Sequence, residues 1–218
     1  MRKQQAIQAL LEQKLLPLFY NDSAETSIAI LRALYDAGIR TVEYTNRGEN
    51  ALTNFIEMKK AAGADMPGML LGIGTIKTKE QASDYIRAGA DFIICPTINP
   101  EVARVTHEAG LLWIPGCLTP TEIAAAEMAG ATIVKIFPGN ILGPNYISSI
   151  QELFPKIKFM PTGGVEAEEK NLRSWFSAGV VAVGMGSKLI SKETVSSGNF
   201  IQIKNATIKA LDLIKSIG

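Results

Sequence analysis

The sequence predicts an α/β protein, a single-domain (β/α)8 TIM-type barrel with an extra N-terminal helix. Three observations predict it. Short apolar runs rich in β-branched residues alternate eight times with helix-type periodicity, at a spacing of roughly 20 to 25 residues. The phrases Ala37-Gly38-Ile39, Ala88-Gly89-Ala90, Ala109-Gly110-Leu111, Ala129-Gly130-Ala131 and Ala178-Gly179-Val180 recur at one point of the unit. Each reads as a helix end, a glycine cap and a turn into the next strand. No strand is followed by a Gly-x-Gly-x-x-Gly turn, which weighs against a doubly wound open sheet.

The elements follow in order. From Arg2 to Lys14, Ile7, Leu10 and Leu11 recur at helical spacing, so a helix precedes the repeats. Leu15 to Tyr20 is the first strand. Asp22 or Ser23 starts the next helix and Gly38 stops it. Thr41 to Asn46 is the second strand, with a helix over about Asn50 to Ala62. Leu70 to Thr75 is the third, with a helix from Thr78 to Ala88. Asp91 to Pro96 is the fourth, with a helix from Pro100 to Ala109. Leu112 to Gly116 is the fifth, with a helix from Pro120 to Met128. Ala131 to Phe137 is the sixth, with a helix from Asn145 to Leu153. Ile157 to Thr162 is the seventh, with a helix from Glu166 to Ser177. Val180 to Gly184 is the eighth, and a terminal helix covers about Asn199 to Lys215. The expected domain is 1–218, with the helix in 1–14, the repeats in 15–190 and the C-terminal helix in 191–218.

Composition excludes several function classes. The chain is 47% hydrophobic and 20% charged, an ordinary globular balance. A net charge of +1 makes no electrostatic case for nucleic acid or an anionic membrane. No run approaches the roughly 20 apolar residues that span a bilayer, and the N-terminus is polar where a signal peptide needs its apolar core. Cys95 and Cys117 sit inside apolar runs without metal-type or disulfide spacing, which fits a cytoplasmic protein. No metal or other cofactor is expected. The single histidine, His107, is expected as an exposed helix residue.

A barrel gathers functional residues at the C-terminal ends of its strands. One lysine, Lys135, interrupts the sixth strand. Burying an ammonium is costly, so such a lysine is either paired or used, and a desolvated amine is the nucleophile that Schiff-base chemistry needs. The bland alternative is a strand-end lysine reaching back to water. Glu43 is equally alone inside the second strand, and a carboxylate facing the same dry space can move protons; a structural ion pair is the alternative. Arg47 suits a carboxylate or phosphate, unless it is a solvated loop arginine. Thr75 and Thr162 offer hydroxyls to a bound carboxylate, although threonine is common in strands. Pro96, Thr97 and Phe137 share the same rim. Thr162-Gly163-Gly164 and Gly184-Met185-Gly186-Ser187 are glycine-rich turns after the last two strands. There Gly163, Gly164, Gly186 and Ser187 would hold phosphate, or would simply be tight turns.

Glu43-Tyr44-Thr45-Asn46-Arg47, Gly72-Ile73-Gly74-Thr75, Ile133-Val134-Lys135-Ile136-Phe137-Pro138, Pro161-Thr162-Gly163-Gly164 and Gly184-Met185-Gly186-Ser187 together resemble another set. That set belongs to the 2-keto-3-deoxy-6-phosphogluconate (KDPG) and 4-hydroxy-2-oxoglutarate (KHG) aldolases. The resemblance runs from about Leu16 to Leu189, with the motifs in the family's order. It implies a metal-free class I aldolase on a (β/α)8 barrel, a homotrimer acting on a small keto acid. Lys135 would form the Schiff base and Glu43 would be the general acid/base. Arg47, Thr75 and Thr162 would hold the pyruvate carboxylate, and Gly163, Gly164, Gly186 and Ser187 the phosphate.

Asn46, Gly48-Glu49 and Phe137-Pro138-Gly139 depart from the family's commoner Leu, Thr-Pro and Phe-Pro-Ala. The first loop, Tyr20-Asn21-Asp22, lacks the base that some members place there. These departures leave open which aldehyde half is accepted. The competing readings are a sugar-phosphate isomerase or synthase without covalent chemistry, and a non-catalytic binder of a keto acid or sugar phosphate.

Overall fold

The computed structural model describes residues 2–217; Met1 and Gly218, which the expected domain 1–218 includes, lie outside the described residues. The apolar runs become nine strands among those residues. They are β1 (Leu15–Phe19), β2 (Thr41–Thr45), β3 (Leu70–Gly74), β4 (Phe92–Ile94), β5 (Leu112–Ile114), β6 (Gly116–Cys117), β7 (Ile133–Ile136), β8 (Lys158–Pro161) and β9 (Val183–Met185). The helices between and around them are α1 (Arg2–Gln13), α2 (Ala24–Asp36), α3 (Ala51–Asp65), α4 (Lys79–Arg87), α5 (Pro100–Glu108), α6 (Pro120–Met128), α7 (Gly139–Ile150), α8 (Glu169–Ser177), α9 (Lys192–Ser196) and α10 (Phe200–Ile217).

All strand pairs are parallel. Six strands form a curled sheet in the order β5-β4-β3-β2-β1-β9, and three form a second sheet, β6-β7-β8. The expected fifth strand, Leu112 to Gly116, is split at Pro115, which has no N–H to give to a ladder. Its first half pairs with β4 and its second with β7. The carbonyl of Pro115 accepts from Lys135 N–H at 2.9 Å. Gly116 is required there, because a Cβ would sit 2.3 Å from the Pro96 carbonyl oxygen.

Strand alternation divides the apolar residues between two cores. On the helix side, Leu15, Val42, Tyr44, Ile73, Val134 and Phe159 pack against the helices. On the other side, Leu16, Phe92, Ile94, Leu112, Ile114, Ile133, Met160 and Ala182 pack together with Ala6 and Leu10 of α1. Burying each large apolar side chain stabilises by about 1.5–3 kcal/mol. The N-terminal helix is therefore part of the core, and it lies against β1, β2 and β5.

Helix ends follow local chemistry. Ser23, Thr78, Asn99 and Thr119 cap α2, α4, α5 and α6 through their side chains, Thr119 in a capping box with Glu122. The five Ala-Gly phrases end helices as expected: Gly38, Gly89, Gly110, Gly130 and Gly179 all have positive φ, from 70° to 102°.

Some expectations need correction. Helix α3 continues through Gly63 to Asp65. The helix expected from Asn145 is preceded by a turn from Gly139, broken at Gly143 (φ 70°, ψ 176°) just before Pro144. The eighth strand starts at Val183 rather than Val180, and α9 has no counterpart among the expected elements. His107 is half-buried rather than exposed: its Nε2 lies 3.1 Å from the Ala129 carbonyl and its ring meets Trp113 edge-on. No described helix is long and apolar enough to cross a membrane.

Candidate active site

Glu43 lies mid-strand on β2, paired in register with Leu18 and Gly72. Lys135 lies on β7, paired with Gly116 and Met160. The strands belong to different sheets, yet Lys135 Nζ and Glu43 Oε1 are 3.6 Å apart. Their side chains are only 7% and 1% exposed. Two chain segments far apart in sequence thus bring opposite charges together in a dry place. That distance is an ion pair but too long for a good hydrogen bond. Neither carboxylate oxygen of Glu43 has a hydrogen-bond partner among the described residues. A buried, unsatisfied carboxylate is costly, so the pair is poor material for a purely structural role.

The neighbours of the pair are shaped around it. A Cβ on Gly74 would fall 1.8 Å from Glu43 Oε1, so the glycine is what lets the carboxylate lie over β3. The Phe137 ring centroid is 5.1 Å from Lys135 Nζ, within cation–π range. Burial pushes the Cys95 thiol up to about 12, with the Trp113 indole, Lys135 and Glu43 as smaller influences. The thiol therefore stays protonated beside the pair.

Thr162, at the end of β8, is 7% exposed, and its Oγ1 is buried without a partner among the described residues. It fits because Gly184 has no side chain; a Cβ there would lie 2.3 Å from Oγ1. Thr162 follows Met160 on the inward face, the face that Ile133 shows Lys135 to share on β7. Thr75 is half-buried and has φ 61°, a left-handed conformation costly for a β-branched residue. Arg47 is exposed just beyond β2, and its guanidinium enters no ion pair among the described residues. The structure thus joins Lys135 to Glu43 directly, with Thr75, Thr162 and Arg47 at the same strand ends.

The glycine turns are also close-built. Gly163 and Gly164 have φ 91° and 72°, and both lie against Asn140. Gly139 N–H donates to the Thr162 carbonyl at 2.8 Å, and a Cβ on Gly139 would lie 2.7 Å from the Gly163 oxygen. The departure at Gly139 is thus matched to the close approach of this turn. Thr162 and Gly184 form a parallel bridge. Beyond it come Gly186, half-buried, and Ser187, exposed.

Three features have no signal in the sequence pattern. Gly74 as the seat of Glu43 is the first. Tyr85 donates to Asn46 Oδ1 at 3.0 Å, while Asn46 N–H donates to the Gly74 carbonyl at 2.9 Å, so the residue before Arg47 is anchored twice. Lys188 Nζ meets Glu166 Oε1 at 2.7 Å, across the two glycine turns. In the first loop, Tyr20 donates to Asp22, and burial followed by that carboxylate raises the Tyr20 phenol to about 12. A groove of about 770 Å3 lies between α1, the end of α2 and α10, but none of its lining residues carries a buried unpartnered polar atom. Chemistry, not size, marks the Lys135–Glu43 site.

Known proteins resemble this chain over most of its length. Residues 6–206 match the family described as KDPG and KHG aldolase. The 2-dehydro-3-deoxy-phosphogluconate aldolase of Treponema pallidum is 30% identical over 208 residues, covering 95% of this chain and 96% of its own length. The 2-dehydro-3-deoxy-6-phosphogalactonate aldolase of Escherichia coli is 34% identical over 166 residues, 76% and 78% of the two chains. A crystal structure of KDPG aldolase from Legionella pneumophila, with pyruvate captured as a covalent carbinolamine, superposes with TM-score 0.86 at 25% identity. That match covers 95% of this chain and 98% of the other.

Proposed function

From the premise that this chain belongs to the KDPG and KHG aldolase family, and is therefore an aldolase working through a lysine Schiff base, we propose that Lys135 is that lysine and Glu43 its proton carrier. The substrate is a 2-keto-4-hydroxy acid. Lys135 Nζ adds to the C2 carbonyl to give a carbinolamine, and loss of water gives an iminium. Glu43 takes the proton of the C4 hydroxyl as the C3–C4 bond breaks. The C3 electrons pass into the iminium, the aldehyde leaves, and the remaining enamine is protonated at C3. Hydrolysis then releases pyruvate and the free amine.

Arg47, Thr75 and Thr162 hold the pyruvate carboxylate, and Gly163, Gly164, Gly186 and Ser187 hold the phosphate of a phosphorylated aldehyde half. The observation that carries the reading is the buried pair, Nζ and Oε1 3.6 Å apart, with both Glu43 oxygens otherwise unpartnered among the described residues. Borohydride reduction in the presence of pyruvate tests it. One reduced pyruvyl group on Lys135 is expected, and its absence from Lys135 overturns the assignment.

The same reading takes residues 1–218 as one domain and the two sheets as one closed (β/α)8 barrel, with β5 and β6 as halves of one strand. The Thr162–Gly184 bridge supports closure, as does Val181 N–H donating to the Phe159 carbonyl at 3.0 Å. The working form is a cytoplasmic homotrimer. Exposed Met128, Ile141, Leu153 and Ile201 offer apolar surface for subunit contacts, and sedimentation equilibrium tests the stoichiometry.

A further inference from the structure

The loops after β8 and β9 are cross-linked twice. The Thr162–Gly184 bridge joins them at the strand ends, and the Lys188–Glu166 ion pair joins them further out. Gly163, Gly164, Gly186 and Ser187 lie between the two links. The Glu166 side of this ring is fixed from behind: the Gly164 carbonyl accepts from Asn171 Nδ2 at 3.0 Å and from Trp175 Nε1 at 3.3 Å, and Glu166 N–H donates to Asn171 Oδ1 at 3.0 Å. The Lys188 side chain is 61% exposed and sits on a flexible stem. Lys188 is therefore the member that can move.

The charge balance of the ring points the same way. Across residues 162–168 and 186–191 the charged residues are Glu166, Glu168 and Lys188. A phosphate dianion on the four turn residues would meet two carboxylates and one ammonium. The first loop, Tyr20-Asn21-Asp22, contributes a carboxylate and no cation. Without Lys188 these two segments would present carboxylates and no cation to a phosphate on their glycines.

We infer that Lys188 is the specificity-determining cation for a phosphorylated aldehyde half: held by Glu166 in this structure, it donates to the phosphate when substrate binds. An ammonium has three N–H donors, so it can serve phosphate and Glu166 together or exchange one for the other. The inference rests on the proposed function, since it needs the glycine turns to be the phosphate end of an aldolase site.

The test uses Lys188→Gln, Lys188→Arg and Glu166→Gln in the full chain. Steady-state rates are measured on a 6-phosphorylated 2-keto-3-deoxy sugar acid and on unphosphorylated 4-hydroxy-2-oxoglutarate. Lys188→Gln should raise KM for the phosphorylated substrate about tenfold, the loss expected for one charge-assisted hydrogen bond. It should leave kcat, and both constants for the unphosphorylated substrate, within about twofold. Lys188→Arg should keep most of the discrimination, and Glu166→Gln should lower KM for the phosphorylated substrate. Equal losses on both substrates, or none on either, overturn the inference. Binding of inorganic phosphate by calorimetry reads the same site without turnover, and Lys188→Gln should weaken it to a similar degree; unchanged binding is a second refutation. Borohydride trapping of pyruvate in the same variants reports on Lys135 alone, so a failed aldolase assignment is told apart from a failed phosphate assignment.

Discussion

Lys135 Nζ and Glu43 Oε1 stand 3.6 Å apart although their strands, β7 and β2, belong to different sheets. The two charges are compensated mainly by each other, because both Glu43 oxygens lack hydrogen-bond partners among the described residues. Removing one charge from such a pair typically costs about 3–5 kcal/mol, whereas replacing both with neutral groups is often harmless. Lys135→Met should therefore destabilise strongly in urea unfolding, and Lys135→Met combined with Glu43→Gln should recover most of the loss. A double variant as unstable as Lys135→Met alone would show that the two groups are not coupled.

Glu43→Gln separates the two roles proposed for the pair. The amide keeps the shape of the carboxylate but cannot accept the C4 hydroxyl proton. Cleavage should slow by about 10²–10⁴-fold, the usual contribution of a positioned general base, while Lys135 still yields a reduced pyruvyl adduct with borohydride. Loss of the adduct in Glu43→Gln would instead make Glu43 part of Schiff-base formation.

Gly74 is where packing meets chemistry. A Cβ there would lie 1.8 Å from Glu43 Oε1, so Gly74→Ala must displace the carboxylate. Overpacking of this kind costs about 1–3 kcal/mol, and activity should fall with it. Gly63, in α3, is the control: nothing lies within 4 Å of the point a Cβ would occupy, so Gly63→Ala should stabilise by about 0.5–1 kcal/mol with activity unchanged. Thermal melts and pyruvate release on both variants check the contrast.

The alternation of strands and helices is legible in the sequence because each unit carries its own local signals. Ser23, Thr78, Asn99 and Thr119 mark helix starts, and the five Ala-Gly phrases mark ends with positive φ. Lys135 and Glu43 are legible because a lone charge in an apolar strand is conspicuous. What does not show is decided between distant segments. The split at Pro115 depends on which neighbour each half of that strand meets. The seat of Glu43 on Gly74, the anchoring of Asn46 by Tyr85, and the Lys188–Glu166 link all join different units. No period within one unit encodes them.

The buried thiols set an alkaline limit. Burial raises both Cys95 and Cys117 to about 12, from an ordinary value near 9. Below about pH 9 the thiols are protonated in folded and unfolded chains alike, and stability does not depend on them. Above it the unfolded chain loses protons that the folded chain retains, so stability falls as pH rises toward the folded values. Each thiol contributes a slope of up to about 1.4 kcal/mol per pH unit in that window. Urea midpoints should drop between roughly pH 9 and roughly pH 11, and Cys117→Ala should make the drop shallower. An equal slope in the variant would remove Cys117 from the account.

Tyr85 reaches the site through Asn46. Its hydroxyl donates to Asn46 Oδ1 at 3.0 Å, its ring packs edge-on against Phe55 with centroids 5.2 Å apart, and burial pushes its phenol up. Asn46 N–H is tied in turn to the Gly74 carbonyl at 2.9 Å, and Arg47 follows directly. The hydroxyl thus helps to hold the turn that carries Arg47. Tyr85→Phe keeps the ring and removes that one bond, worth about 0.5–1.5 kcal/mol. If Arg47 holds the substrate carboxylate, KM should rise by about twofold to tenfold with kcat little changed. Asn46→Leu leaves the Tyr85 hydroxyl buried without an acceptor and should cost more stability, about 1–3 kcal/mol. Asn46→Leu with Tyr85→Phe removes both partners and should recover much of that stability, but not the KM, because the side-chain tether stays lost and only the backbone bond to Gly74 remains. A KM restored along with stability would mean that the bond holds the fold and does not position Arg47.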